Sequence, residues 1–158
     1  VPLFDFGLSV ERIRAARKAI EASGTGVLLT ARAECYLVGH PQPLSECLRR
    51  LTAYAEAGAD VLYAPGATDP ADIQTIVREV HPKPVNLLIV ADCGITVAMA
   101  TDWGVRRIST GSSLCRAAWG GFLRAARGIA GEGSFAGFKD NAPFAELNTF
   151  FHGQRKLR

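Results

Sequence analysis

Apolar and polar positions along this chain switch repeatedly between two periods. Val10, Ile13, Ala16 and Ile20 recur at helical spacing behind Ser9, a capping residue, and predict a first helix that Ser23-Gly24 ends. The run 26–31 is too short and too uniformly apolar for an amphipathic helix. It predicts a strand buried on both faces, with Arg32 and Glu34 delivered at its tip. Helical spacing returns over 44–57, where Leu44, Cys47, Leu48, Leu51 and Tyr54 oppose Arg49, Arg50 and Glu56 until Gly58 stops the helix. The alternation then continues with strand 60–64, helix 71–80 behind Asp69-Pro70, strand 85–90, short helix 96–102, strand 105–109, long helix 114–130 and a last helix 143–151.

Four strands in strict alternation with helices predict an α/β fold whose strands are parallel and joined by right-handed crossovers. An open doubly wound sheet and four (βα) units of a TIM (β/α)₈ barrel both satisfy that pattern. No Gly-x-Gly-x-x-Gly follows a strand, and no Gly-x-x-x-x-Gly-Lys-Ser/Thr loop is present. At 158 residues a single α/β domain over 1–158 is expected.

Charge and cysteine usage narrow the function classes. Lys and Arg total 18 against 15 Asp and Glu, a net +3, and Arg155, Lys156 and Arg158 of the tail hold three of those cations. The tail reads as a solvated end, and nucleic acid is not an expected partner. No apolar run approaches the roughly 18 residues a bilayer span needs, and the start lacks a basic-then-apolar leader. The expectation is a soluble cytoplasmic protein with no membrane partner. Cys35, Cys47, Cys93 and Cys115 form no Cys-x-x-Cys and have no histidine at metal spacing, so neither a zinc site nor a disulfide framework is expected. Cys35 and Cys93 fall near strand ends, where a cysteine lines a pocket or, more commonly, serves as a small buried hydrophobe. The chain starts at Val1 and has Met99 as its one methionine, and it is read as a processed, truncated or partial piece of something longer.

Among chemical motifs, Ser109-Thr110-Gly111-Ser112-Ser113 sets small hydroxyl residues between a strand and a helix start. This predicts an anion site at Ser109, Gly111 and Ser112, although a helix cap needs the same residues. Lys18, Lys83, Lys139 and Lys156 lie outside the strand bodies, which disfavours Schiff-base chemistry, and no Gly-x-Ser-x-Gly elbow occurs. No catalytic residue is assigned.

Four blocks taken in order carry a family resemblance. They are Thr30-Ala31-Arg32-Ala33-Glu34, Arg50-Leu51-Thr52-Ala53-Tyr54-Ala55-Glu56-Ala57-Gly58-Ala59-Asp60, Lys83-Pro84-Val85-Asn86 and Gly104-Val105-Arg106-Arg107-Ile108-Ser109. They resemble the isocitrate lyase and phosphoenolpyruvate mutase superfamily, closest to its phosphonomutase-like and 2-methylisocitrate-lyase-like branch. The resemblance implies strands five to eight of a TIM barrel, with residues 1–22 as the preceding helix: a half-barrel that completes itself by association. It further implies Mg²⁺ as cofactor and a small 2-oxo or 2-hydroxy carboxylic acid bound at the strand tips, with a C–C or P–C bond made or broken through an enolate. By the same resemblance Arg32 matches an arginine that contacts the substrate carboxylate, and Asn86 matches a strand-seven asparagine. Arg116 falls near a substrate-contacting arginine of the lyases, and Glu34 is a partner that orients Arg32.

Departures from the family limit what this chain is expected to do. Pro65-Gly66 stands where the lyase branch has a glutamate after strand six. The acidic block that holds Mg²⁺ and the mobile loop with the acid or base belong to the first half of the barrel, and neither is found here. Asp60, Asp69, Asp72 and Asp92 do not reproduce the metal-binding aspartates. The isolated chain is therefore expected to be inactive. The alternative is a non-catalytic half-barrel that binds a carboxylate, pairs as a homodimer or higher oligomer, or takes its missing N-terminal half from another chain. Related enzymes exchange C-terminal helices in tetramers, so 142–151, with Phe144, Leu147, Phe150 and Phe151, is a candidate for the same exchange.

Overall fold

The computed structural model describes residues 2–154, the last without its side chain. The tail 155–158, read above as a solvated end and including Lys156, lies outside the described residues. The chain falls into two compact units, Val1–Gly111 and Ser112–Arg158.

The first unit alternates helix and strand as the periodicity predicts: α1 (Phe6–Ser23), β1 (Thr30–Arg32), α2 (Pro43–Glu56), β2 (Val61–Tyr63), α3 (Pro70–Glu79), β3 (Val85–Leu88), α4 (Val97–Asp102) and β4 (Arg107–Ser109). The four strands form one parallel sheet in sequence order, so every crossover joins nearest neighbours. This is the α/β architecture expected of consecutive (βα) units.

Two local expectations are corrected. Asp5, not Ser9, caps α1, because its carboxylate accepts the Leu8 N–H at 3.1 Å. Ser9 lies inside the helix, where its hydroxyl donates to the Asp5 carbonyl. The first strand is shorter than 26–31 and is not buried on both faces. Parallel pairing starts where the Leu29 carbonyl accepts the N–H of Asp60 and of Val61, and Val27 and Leu28 before it are exposed. Among the described residues β1 is an edge strand paired only with β2, so no strand lies on its other side to continue the pairing along that run.

The pleat sorts the strand residues by face. Ala31, Leu62, Val85 and Leu87 join a buried core with Cys47, Leu51 and Tyr54 of α2 and Ile73 and Ile76 of α3. The opposite face carries Thr30, Arg32, Val61, Tyr63, Asn86, Arg107 and Ser109. At the amino end of the sheet, Asp60 takes the Leu29 N–H at 2.7 Å and pairs with Arg17.

In the second unit, α5 (Ser113–Glu132) ends at Gly133, whose φ of 66° suits a left-handed cap. A 3₁₀ turn, Ala136–Phe138, lies so close to α5 that a Cβ on Gly137 would meet the Ala125 backbone at 2.6 Å. α6 (Phe144–Gln154) follows, and Phe144, Leu147, Phe150 and Phe151 along it are exposed. No helix among the described residues is long and apolar enough to cross a membrane.

Candidate functional site

Strand register builds the site. Arg32 pairs with Tyr63, Tyr63 with Asn86, and Asn86 with Arg107, so one residue from each strand falls into a single row. Strict register across neighbouring strands puts all four on the same face, opposite the helix-packed core. Arg32 and Tyr63 end their strands, whereas Asn86 is second in β3 and Arg107 first in β4. The row therefore runs obliquely to the strand tips.

At one end, Arg32 Nε lies 2.8 Å from Glu34 Oε1, and the guanidinium sits over the Tyr63 ring, 5.0 Å from its centroid. The acid takes the inner nitrogen and the ring supports the plane from below. Among the described residues, nothing accepts from the two terminal nitrogens of Arg32. That outer edge is a planar two-donor fork, the geometry a carboxylate or phosphonate matches.

Further along, Asn86 is only 2% exposed and is bonded at both its oxygen and its nitrogen. Arg107 Nη1 donates to its Oδ1 at 2.7 Å, and its Nδ2 donates to Ser109 Oγ at 2.9 Å. A buried amide is held in place only when both ends are satisfied, and these two strand-eight side chains supply that.

The structure thus brings together Arg32, Glu34, Asn86 and Ser109 from the sequence-based candidates. Gly111 follows β4 with a φ of 54°, a backbone shape that favours glycine. Ser112 and Arg116 belong to the second unit, Ser112 as the residue before α5, its side chain making no capping bond, and Arg116 in the first turn. The row stands without them. Tyr63 and Arg107 went unassigned from sequence. Arg107 stood within a quoted block, yet only the pairing register reveals that it, rather than Arg106, shares a face with Asn86.

Behind β1, two buried thiols meet. Cys47 Sγ donates to the Ala33 carbonyl at 3.5 Å, and hydrogen bonding with Cys35 together with burial pushes the Cys47 thiol well above its usual range. Both are free and buried, unjoined by a disulfide. Cys93 is exposed, so it is not a small buried hydrophobe, the commoner expectation for it. Tyr36 donates to Asp72 at 2.9 Å, and burial followed by that carboxylate raises its phenol.

Residues 1–130 match the family model for phosphoenolpyruvate phosphomutase. The chain belongs to that family. An uncharacterised protein of Mycobacterium tuberculosis (strain ATCC 25618 / H37Rv) is 33% identical over 130 residues, covering 82% of this chain and 48% of that protein. Among solved structures, a protein of Burkholderia cenocepacia J2315 provisionally designated a lyase/mutase is 41% identical with a TM-score of 0.86, covering 95% of this chain and 54% of that one. 2,3-Dimethylmalate lyase, a member of the phosphoenolpyruvate mutase/isocitrate lyase superfamily, is 27% identical with a TM-score of 0.76, over 89% of this chain and 50% of the lyase. The chain spans about half the length of these phosphomutase-family relatives.

The family implies Mg²⁺, and the residues of this chain do not fit it. Among the described residues no group of three or more His, Cys, Asp and Glu is placed to hold a metal ion. Asp60, the strand-associated aspartate, sits at the amino end of β2 and is committed to Leu29 and Arg17.

Proposed function

We propose that this chain supplies the carboxylate-binding half of a phosphoenolpyruvate phosphomutase-like enzyme acting on a small 2-oxo or 2-hydroxy carboxylic acid. The observation that carries the reading is the open outer edge of Arg32, fixed from behind by Glu34 and Tyr63 on the polar face of the sheet. In the whole enzyme, the reaction would be cleavage or formation of a C–C or P–C bond beside an enolate, with Mg²⁺ held elsewhere. This chain's part is to bind and orient the acid. Arg32 grips the carboxylate, and Asn86 with Ser109 contacts a second oxygen. Gly111 in the first unit, and Ser112 and Arg116 in the second, remain separate proposals for contact with an anion.

The test is titration of the chain with oxalate, followed by calorimetry and amide chemical shifts. Arg32→Lys should weaken binding about tenfold, because an ammonium offers a point charge where the fork offered two aligned donors. Absence of any oxalate response at Arg32 and Asn86 in the unsubstituted chain would overturn the reading. With Mg²⁺ present and candidate acids supplied, the isolated chain should release no pyruvate.

A second reading has its own support. Val27 and Leu28 lie exposed beside an edge strand, at 57% and 69%, an arrangement that isolated sheets avoid. A second copy of the chain, or the other half of the barrel, would cover them. The exposed phenylalanines of α6 are likewise suited to helix exchange between copies. Light scattering across a dilution series decides this: a stable monomer at every concentration eliminates self-association.

A further inference from the structure

We infer that Arg107 is a positioning residue that locks the Asn86 amide with its Nδ2 towards Ser109, so that the Ser109 hydroxyl is left to face a ligand as a hydrogen-bond donor. The chemistry of the partners dictates the orientation. A guanidinium has no acceptor, so the atom 2.7 Å from Arg107 Nη1 is the amide oxygen of Asn86 and cannot be its nitrogen. Nδ2 is thereby turned towards Ser109, whose Oγ accepts at 2.9 Å. That leaves the Ser109 proton to be given away, and no acceptor among the described residues takes it.

Flipping the amide would press N–H against N–H beside Arg107 in a site that is 2% exposed, a loss that a new bond from the Ser109 hydroxyl to the displaced oxygen would not make good. The penalty for such a mismatch in a buried site is a factor of roughly ten to a hundred in population. Along the row, the outer edge of Arg32 offers donors alone, and the orientation of the amide frees the Ser109 hydroxyl proton as a further donor, while the Tyr63 phenol can donate or accept. Glu34, the anion beside the row, pairs through Oε1 with Arg32.

A ligand that meets the Arg32 fork and the Ser109 proton carries acceptor oxygens at those two points, as carboxylate and phosphonate groups do. It does not carry an amide nitrogen at either. This ligand preference rests on the carboxylate-binding reading above; the orientation of Asn86 does not.

The experiment combines side-chain amide spectra with titrations of the full chain by oxalate and by oxamate, in which an amide replaces one carboxylate. Without ligand, the Asn86 Nδ2 protons should exchange slowly in the unsubstituted chain and in Arg107→Lys, and rapidly in Arg107→Met. With ligand, the preference for oxalate over oxamate should fall about tenfold in Arg107→Met and return in Arg107→Lys. The same Arg107→Met change made in an Asn86→Leu background should leave the preference where Asn86→Leu put it, since Arg107 then has no amide to hold. If Arg107→Met does not fold, Arg107→Gln carries the same expectations, because a glutamine can donate or accept and releases the lock.

An Asn86 amide unaffected by Arg107→Met overturns the positioning role. So does a tenfold fall that persists in the Asn86→Leu background, which would mean that Arg107 acts by its own charge. Failure of the unsubstituted chain to bind oxalate sinks the carboxylate reading and the ligand preference with it, while the amide signals still decide what Arg107 does to Asn86.

Discussion

Arg50 Nη1 donates to Ser9 Oγ at 2.8 Å, bridging 41 positions of chain between α2 and α1. The same side chain, 5% exposed, gives Nη2 to the Phe4 carbonyl at 2.9 Å and Nε to Glu46 at 2.7 Å. One arginine thus anchors the segment entering α1, that helix and its own helix.

Arg50→Met should therefore destabilise the chain by about 3 kcal/mol, since Glu46, Ser9 and the Phe4 carbonyl all lose a donor. Arg49 bonds the same glutamate but is half exposed, so Arg49→Met should shift the midpoint far less than Arg50→Met. Urea midpoints at unchanged m-value measure both.

Acid should loosen the same cluster. Arg49, and then Arg50, hold the Glu46 carboxyl down at about 2 despite partial burial. A carboxyl depressed in the folded state adds stability above its unfolded value near 4.3, and that contribution drains away as the pH falls towards 2. The full difference is up to about 3 kcal/mol, less what solvent screening on the Arg49 side removes. Asp60, lowered by the Leu29 N–H and by Arg17, adds to the loss in the same direction. Stability measured from pH 6 to pH 2 should fall more gently in Glu46→Gln than in the unsubstituted chain.

Thiol reactivity should divide the four cysteines into two classes. Cys93 and Cys115 are exposed and should be modified at once by a disulfide reagent, whereas Cys35 and Cys47 are buried and should react only on unfolding. Mass spectrometry of the briefly treated chain should find two adducts, both outside the peptide that carries Cys35.

Gly66 should resist any side chain. Its φ of 88° is strained for other residues, and a Cβ would lie 2.9 Å from Leu37 Cδ2 and 3.1 Å from Tyr36 Cβ. Gly66→Ala should cost about 1–3 kcal/mol and shift the amide signals of the chain after Glu34. A stable variant with unchanged signals there would show that the Tyr36-Leu37 turn yields without strain.

Elements were legible in the sequence where the apolar period was long. Leu44 to Tyr54 has three turns of clean spacing, and α2 lies where that spacing predicts. Val27 and Leu28 misled, because an apolar run says that something should cover it without saying whether this chain does. Arg32 and Asn86 were visible through a family resemblance, but their partners were not. Tyr63 reads as a strand residue like its neighbours, and Arg106-Arg107 as one basic pair. Which of the two arginines reaches Asn86 depends on register between strands 21 positions apart, a property of hydrogen bonding across the sheet that no local pattern encodes.

The two-sided sheet gives the chain a simple rule of tolerance. On β1 to β3, residues of one parity hold the fold together and residues of the other parity form the proposed ligand face. Leu62 and Leu87 belong to the first set, Tyr63 and Asn86 to the second. Substitutions that retune the ligand can accumulate on one set while the other stays fixed. Inserting a single residue within a strand would exchange the sets, and would abolish binding and folding in the same stroke.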